Sequence, residues 1–106
     1  MTTLTPTRRS SELRALIQRN RADVDAIFRA YGATNPRLFG SVARGDADDD
    51  SDIDLLFTRS AGMGLFALAA MGQELSDLLG VAVDVVPDSG LYEHLRSGVL
   101  TDAVPI

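Results

Sequence analysis

Two short apolar runs that each carry acid restrict the fold more than any other feature of this sequence. Asp52-Ile53-Asp54-Leu55-Leu56-Phe57 is too apolar towards its end for a loop, and Val81-Ala82-Val83-Asp84-Val85-Val86, stopped by Pro87, is the clearest strand in the chain. Between them, Leu65 to Leu79 places Leu68, Leu75, Leu78 and Leu79 at helical core spacing, introduced by Gly62 and Gly64 and left through Gly80. Strand alternation puts Asp52 and Asp54 on one face, with Ile53 and Leu55 turned into a core. Asp84 lies with Ala82 and Val86, opposite Val81, Val83 and Val85. An acid in a valine-rich strand is costly to bury without a partner. If the two strands are neighbours, Asp84 joins Asp52 and Asp54 in a three-carboxylate cluster of the kind that holds two divalent ions about 3.5 to 4 Å apart for in-line displacement at phosphorus. No basic residue lies between Asp46 and Asp54 to neutralise the charge, so the cluster calls for a cation.

Upstream, Leu13, Leu16, Ile17, Val24, Ile27, Phe28 and Tyr31 recur at three- and four-residue intervals and predict one amphipathic helix from Ser10 to Tyr31. Ser10 or Ser11 would cap its start, and Gly32 would supply the left-handed residue past its end. Asn35-Pro36 marks a turn before a short strand, Arg37-Leu38-Phe39, that runs into Gly40-Ser41. The next residues, Val42-Ala43-Arg44-Gly45, suit a single helical turn. Glycine lets a backbone approach a ligand closely, amides at a helix start bind phosphate oxygens, and the Ser41 hydroxyl adds a donor. Arg44 can reach the same phosphates with a forked, permanently charged group. A last helical segment is expected over residues 89–97, followed by a tail whose Val99, Leu100, Val104 and Ile106 pack back on the core. Residues 1–9 read as a flexible N-terminus and 10–106 as a single domain.

At 106 residues, 45% hydrophobic and 24% charged, the chain suits one modest core and lies far from disorder. No apolar stretch is long enough for a membrane span and the polar start lacks a signal-peptide centre, so the cytoplasm is the expected location. With no cysteine, any metal must be held by oxygen or by the single His94, which points to Mg²⁺ or Mn²⁺. The net charge of −5 argues against stable nucleic-acid binding, and the basic residues are all Arg, which removes a lysine nucleophile.

Gly40-Ser41, ten residues, then Asp52-Ile53-Asp54 resembles the GS-x10-DxD signature of the polymerase-β-like nucleotidyltransferase superfamily. The order of helix, strand, GS turn, DxD strand, helix and third-acid strand extends that resemblance from Ser10 to Val86. The short length, the Arg-Gly after the GS turn, Ser-Asp-Ile-Asp-Leu and the closing Asp-Ala-Val-Pro-Ile resemble the MNT group of minimal nucleotidyltransferases. The resemblance implies an α+β fold, a short mixed β-sheet with helices on one face. It implies a Mg²⁺-dependent antitoxin that uses ATP to place AMP on a tyrosine of a HEPN ribonuclease toxin. Asp52 and Asp54 would be metal ligands, Asp84 the third acid, and Gly40, Ser41 and Arg44 the triphosphate cradle.

Two other classes stay open at this point: a non-catalytic antitoxin that neutralises its partner by contact through the apolar tail, and a small-molecule nucleotidyltransferase whose acceptor pocket would need dimerisation. Asp46, Asp48, Asp49 and Asp50 read as a solvated loop, since an EF-hand would need a Gly at position six and a Glu at position twelve. His94 reads as a surface residue, and Tyr31 and Tyr92 as packing residues with wet hydroxyls.

Overall fold

The computed structural model describes residues 5–90 and 93–106, with side chains left undescribed from 90 to 97. The long amphipathic pattern folds as two helices, α1 (Arg8–Arg19) and α2 (Arg21–Ala30). This corrects the single helix expected over 10–31. Asn20 interrupts it: the residue leaves helical geometry at φ −107° and ψ 16°, and its Nδ2 donates to the Leu16 carbonyl at 2.9 Å. A short amide side chain that bonds nearby backbone competes with the helix ladder. Ile17 and Val24 lie seven apart, so the apolar pattern passes over the break without showing it.

The start of α1 also differs from expectation. Helix begins at Arg8, and the cap is Thr7, whose Oγ1 accepts from the Ser10 amide, instead of Ser10 or Ser11. Ser10 is fully buried and its Oγ accepts from the Ala47 amide at 2.9 Å, while Thr7 Oγ1 donates to the Ala47 carbonyl. This seam ties the N-terminal helix to the loop that follows the GS turn.

β1 (Thr34–Phe39) is longer than the three residues expected. Asn35, at φ +53°, and Pro36 form an irregularity inside the strand where a turn was expected, and the pairing with β2 shifts register between Thr34 and Arg37. α3 (Gly40–Arg44), β2 (Ile53–Thr58) and α4 (Leu65–Leu79) follow, α4 with the expected bounds and with Gly80 left-handed at its exit. β3 covers Val83–Pro87, starting later than the apolar run. After a 3-10 turn (Asp88–Gly90), α5 (Glu93–Asp102) and β4 (Val104–Pro105) close the chain. The last helix thus sits further along than residues 89–97; the reading of Tyr92 falls outside the described residues, and that of His94 on a side chain left undescribed.

The four strands form one mixed sheet in the order β3-β2-β1-β4. β2 and β3 are parallel, joined through α4; β1 pairs antiparallel with both β2 and β4. Ile53, Leu55 and Phe57 on one face of β2 join Leu13, Ile17, Val24, Phe28, Met71 and Leu75 in the core. The rings of Phe28 and Phe57 meet at 5.9 Å and 51°, a tilted contact. The tail packs back through two of its four apolar residues: Val104 pairs with Leu38 and Ile106 is buried, whereas Leu100, expected on the core, is exposed on α5.

Candidate active site

β2 is read by its pleat. Ile53, Leu55 and Phe57 are fully buried in the core, so Asp54 must face the other way, and it emerges half-buried. In the parallel pairing with β3, Asp54 stands directly opposite Asp84, and in the antiparallel pairing with β1 it stands opposite Phe39, the residue before Gly40. Paired residues share a face, so the acids of β2 and β3 and the start of the GS turn converge at one end of the sheet. Asp52 lies just before β2 and is exposed. Asp84 is exposed as well, because β3 is an edge strand. The expectation of a costly buried acid on β3 is therefore corrected: Asp84 keeps water, and the carboxylate that carries the desolvation is Asp54.

Burial, together with repulsion from Asp84 and then Asp52, pushes the Asp54 carboxyl up from 3.8 to about 6, with only Arg44 pulling the other way. Arg44 offsets the charge only in part, and the donors are all oxygen, which fits a hard divalent cation. The cluster is open: among the described residues no three acidic, His or Cys side chains close into a ready-made metal cage.

Gly40 sits at φ +75°, a conformation that L side chains rarely adopt, and a β-carbon there would collide with Asp54 Oδ2. The GS turn is thus pressed against the DxD strand, and only glycine permits the contact. α3 is a single turn with no side-chain cap, so its first amides carry the orphan donors of any helix start. The Ser41 hydroxyl has no hydrogen-bond partner among the described residues.

Arg44 does not point freely at the acids. Its Nε lies 3.2 Å from Asp46 Oδ2 and its Nη1 3.6 Å from Asp102 Oδ2 on α5. The hydrogen bond to Asp46 is the main reason its pKa is raised, with burial opposing it and the charges of Asp46 and Asp102 adding to it. It still acts on Asp54 through charge. Asp48 closes the polar loop on itself, accepting from the Asp50 amide and the Ser51 hydroxyl, as a solvated loop should.

Sequence reasoning missed three residues that hold this site. Arg14 on α1 donates to the carbonyls of Val42 (3.3 Å) and Ala43 (2.7 Å), clamping the end of α3. Thr7 and Ser10 hold Ala47 as described above. Polar residues at the start and on the flank of an amphipathic helix carry no signal of a partner some thirty or more residues away.

A model of the nucleotidyltransferase domain family matches residues 22–106. The chain belongs to that family. This nucleotidyltransferase domain is 39% identical over its whole length to a solved chain described as a candidate minimal nucleotidyltransferase, with a TM-score of 0.75 and full coverage of both. It is 34% identical over 74 residues to the protein adenylyltransferase MntA of Thermococcus cleftensis, covering 70% of this chain and 75% of that one. It also shares its fold, at 22% identity and a TM-score of 0.65 over 83% of this chain and 69% of that one, with the structure of a tri-AMPylated HEPN toxin of Shewanella oneidensis in complex with MNT antitoxin.

Proposed function

We propose that this nucleotidyltransferase domain moves AMP from ATP to a hydroxyl, a tyrosine for preference, of a HEPN toxin, and that it acts as the antitoxin of that pair. The observation that carries the reading is the register of the sheet: Asp54 opposite Asp84 across β2 and β3, with Gly40 pressed on the Asp54 carboxylate. Relatives named for adenylyl transfer and for MNT–HEPN assembly support the nucleotide and the partner.

In this reading Asp52, Asp54 and Asp84 hold Mg²⁺, and the first turn of α3 with Gly40, Ser41 and Arg44 takes the triphosphate. Bound there, Mg²⁺ would neutralise the acids and stabilise charge on the attacking and leaving oxygens. Arg44 exchanges its carboxylate partners Asp46 and Asp102 for phosphate, a trade among exposed charges that costs little. The acceptor oxygen attacks the α-phosphorus, the bond to the bridging oxygen of pyrophosphate breaks, and pyrophosphate leaves. Asp84, exposed at the sheet edge, would draw the proton from the acceptor hydroxyl. Asp52→Asn and Asp54→Asn should each abolish transfer while the fold survives, as followed by label from α-³²P ATP. Undiminished transfer by both variants would defeat the assignment.

A further inference from the structure

The carboxylate of Asp84 also ends a groove. A cavity of about 420 Å³ runs between α4 and the outer edge of β3, walled by Leu65, Leu68, Gly72 and Val85, with Asp84 as the only charged residue that lines it among the described residues. Gly72 sets its depth: a β-carbon there would already touch Val85 Cγ2 at 3.2 Å. At the N-terminal end of α4, Leu65 is 81% exposed and its neighbour Phe66 94%, large apolar side chains left in water.

The edge of β3 is open in part, with α4 covering it at the Val83 amide. Ala82 turns its carbonyl towards β2, accepting from Ile53, so by alternation Val83 and Val85 turn their backbone groups outward. The outward amide of Val83 is taken by Ser76 Oγ at 3.0 Å. The Val83 carbonyl and the Val85 amide have no hydrogen-bond partner among the described residues, and they bracket Asp84.

We infer that this edge and groove dock an extended segment of the acceptor protein, in which the acceptor hydroxyl residue is flanked on both sides by apolar residues and then by basic ones. The inference rests on the transferase reading above. A strand laid parallel on β3 would offer the amide and carbonyl of one residue to Val83 and Val85, and that residue would stand opposite Asp84 at the ordinary strand spacing of about 4.7 to 4.9 Å. Its side chain would lie on the face of Asp84 and Asp54, where the hydroxyl is needed. Its two neighbours would point to the other face, into the groove against Leu68, Gly72 and Val85. The residues beyond these neighbours return to the face of Asp84, Asp54 and Asp52, whose clustered carboxylates suit basic flanks. Main-chain bonds would supply affinity and the alternate pockets specificity, the mode of strand addition to a sheet edge.

The test uses the full chain and a synthetic peptide of sequence Gly-Arg-Val-Tyr-Val-Arg-Gly, titrated by ¹H–¹⁵N NMR and then offered ATP with Mg²⁺. Amide shifts should centre on Leu65, Leu68, Gly72 and Val85. Leu65→Arg, an analogue with Asp in place of both valines, and an analogue N-methylated at the tyrosine should each bind roughly tenfold more weakly. N-methylation leaves the protein untouched, so its effect does not depend on a variant folding. Shifts that map elsewhere, or equal affinity for all the peptides, would overturn the inference even if AMP reaches the tyrosine. Docking with the expected pattern but without AMP transfer would uphold the groove and count against the transferase reading. A dimer that Leu65→Arg dissolves without weakening peptide labelling would assign the groove to a second copy and overturn it too.

Discussion

Replacing Asp54 by Asn should make this protein more stable and inactive at once. The carboxyl of Asp54 rises from 3.8 to about 6 on folding because burial, then Asp84 and Asp52, oppose its ionised form. At 1.36 kcal/mol per pH unit the rise is worth at most about 3 kcal/mol. Asp54 is half-buried, so water screens much of that, and about 1 kcal/mol is the reasonable expectation. The sign follows from proton linkage. Between pH 3.8 and about 6 the folded chain holds a proton that the unfolded chain has lost, so stability falls as pH rises through that window and is flat above it. Asp54→Asn removes the ionised form, so its advantage is full at pH 7 and vanishes below about pH 4. For a domain of this size 1 kcal/mol is roughly 4 to 8 °C in Tm. Thermal unfolding by circular dichroism at pH 7.5 and pH 3.5, without divalent metal, reads the difference directly. A variant that is less stable than wild type at pH 7.5, or equally stabilised at both pH values, would refute the electrostatic argument for the acid cluster.

Gly40→Ala should cost about 1 to 3 kcal/mol, since φ is +75° and the new β-carbon strikes the Asp54 carboxylate, and it should cut transfer by roughly a hundredfold through misplacement of that acid. Arg14→Gln removes a charge-assisted clamp from the carbonyls of Val42 and Ala43; KM for ATP should rise several-fold with kcat less affected, as steady-state kinetics would show. Asp88 answers the opposite way to Asp54. Burial would raise its pKa, but hydrogen bonds from Thr58 and Arg37 hold it below the usual carboxylate value. Asp88→Asn should therefore lose about 1 to 3 kcal/mol above pH 4, shrinking as pH falls below 3.8 and through the lower folded value, and leave nucleotide binding intact because Thr58 lies four residues, roughly 13 Å, along β2 from Asp54.

The sheet and its site were legible in the sequence to the extent that they depend on period and glycine. Alternation along Asp52 to Phe57 gave the buried and open faces of β2, and α4 ran between the glycines that bound it because its leucines keep one period without a competing side chain. Gly40-Ser41 was found as a turn, and its position against Asp54 follows from the pairing of Phe39 with Asp54. What period could not reveal was competition and long-range partnership. Asn20 broke the first helix through a local bond that leaves the apolar spacing unchanged, and Asn35 and Pro36 became a strand irregularity because β2 and β4 pair with the residues that follow. The exposure of Asp84 depends on β3 being an edge, a matter of strand order that local sequence does not carry. The pairing of Arg44 with Asp102 links α3 to the far end of α5 and is equally silent in sequence.

The most direct measurement of the central claim is transfer from ATP labelled at the α-phosphate, set beside ATP labelled at the γ-phosphate, to the HEPN partner in the presence of Mg²⁺. The account predicts covalent label on the partner from α-³²P ATP alone, with pyrophosphate released, and none with the Asp52→Asn/Asp54→Asn chain. Label arriving from γ-³²P ATP, or from neither nucleotide while the partner is still neutralised, would contradict it.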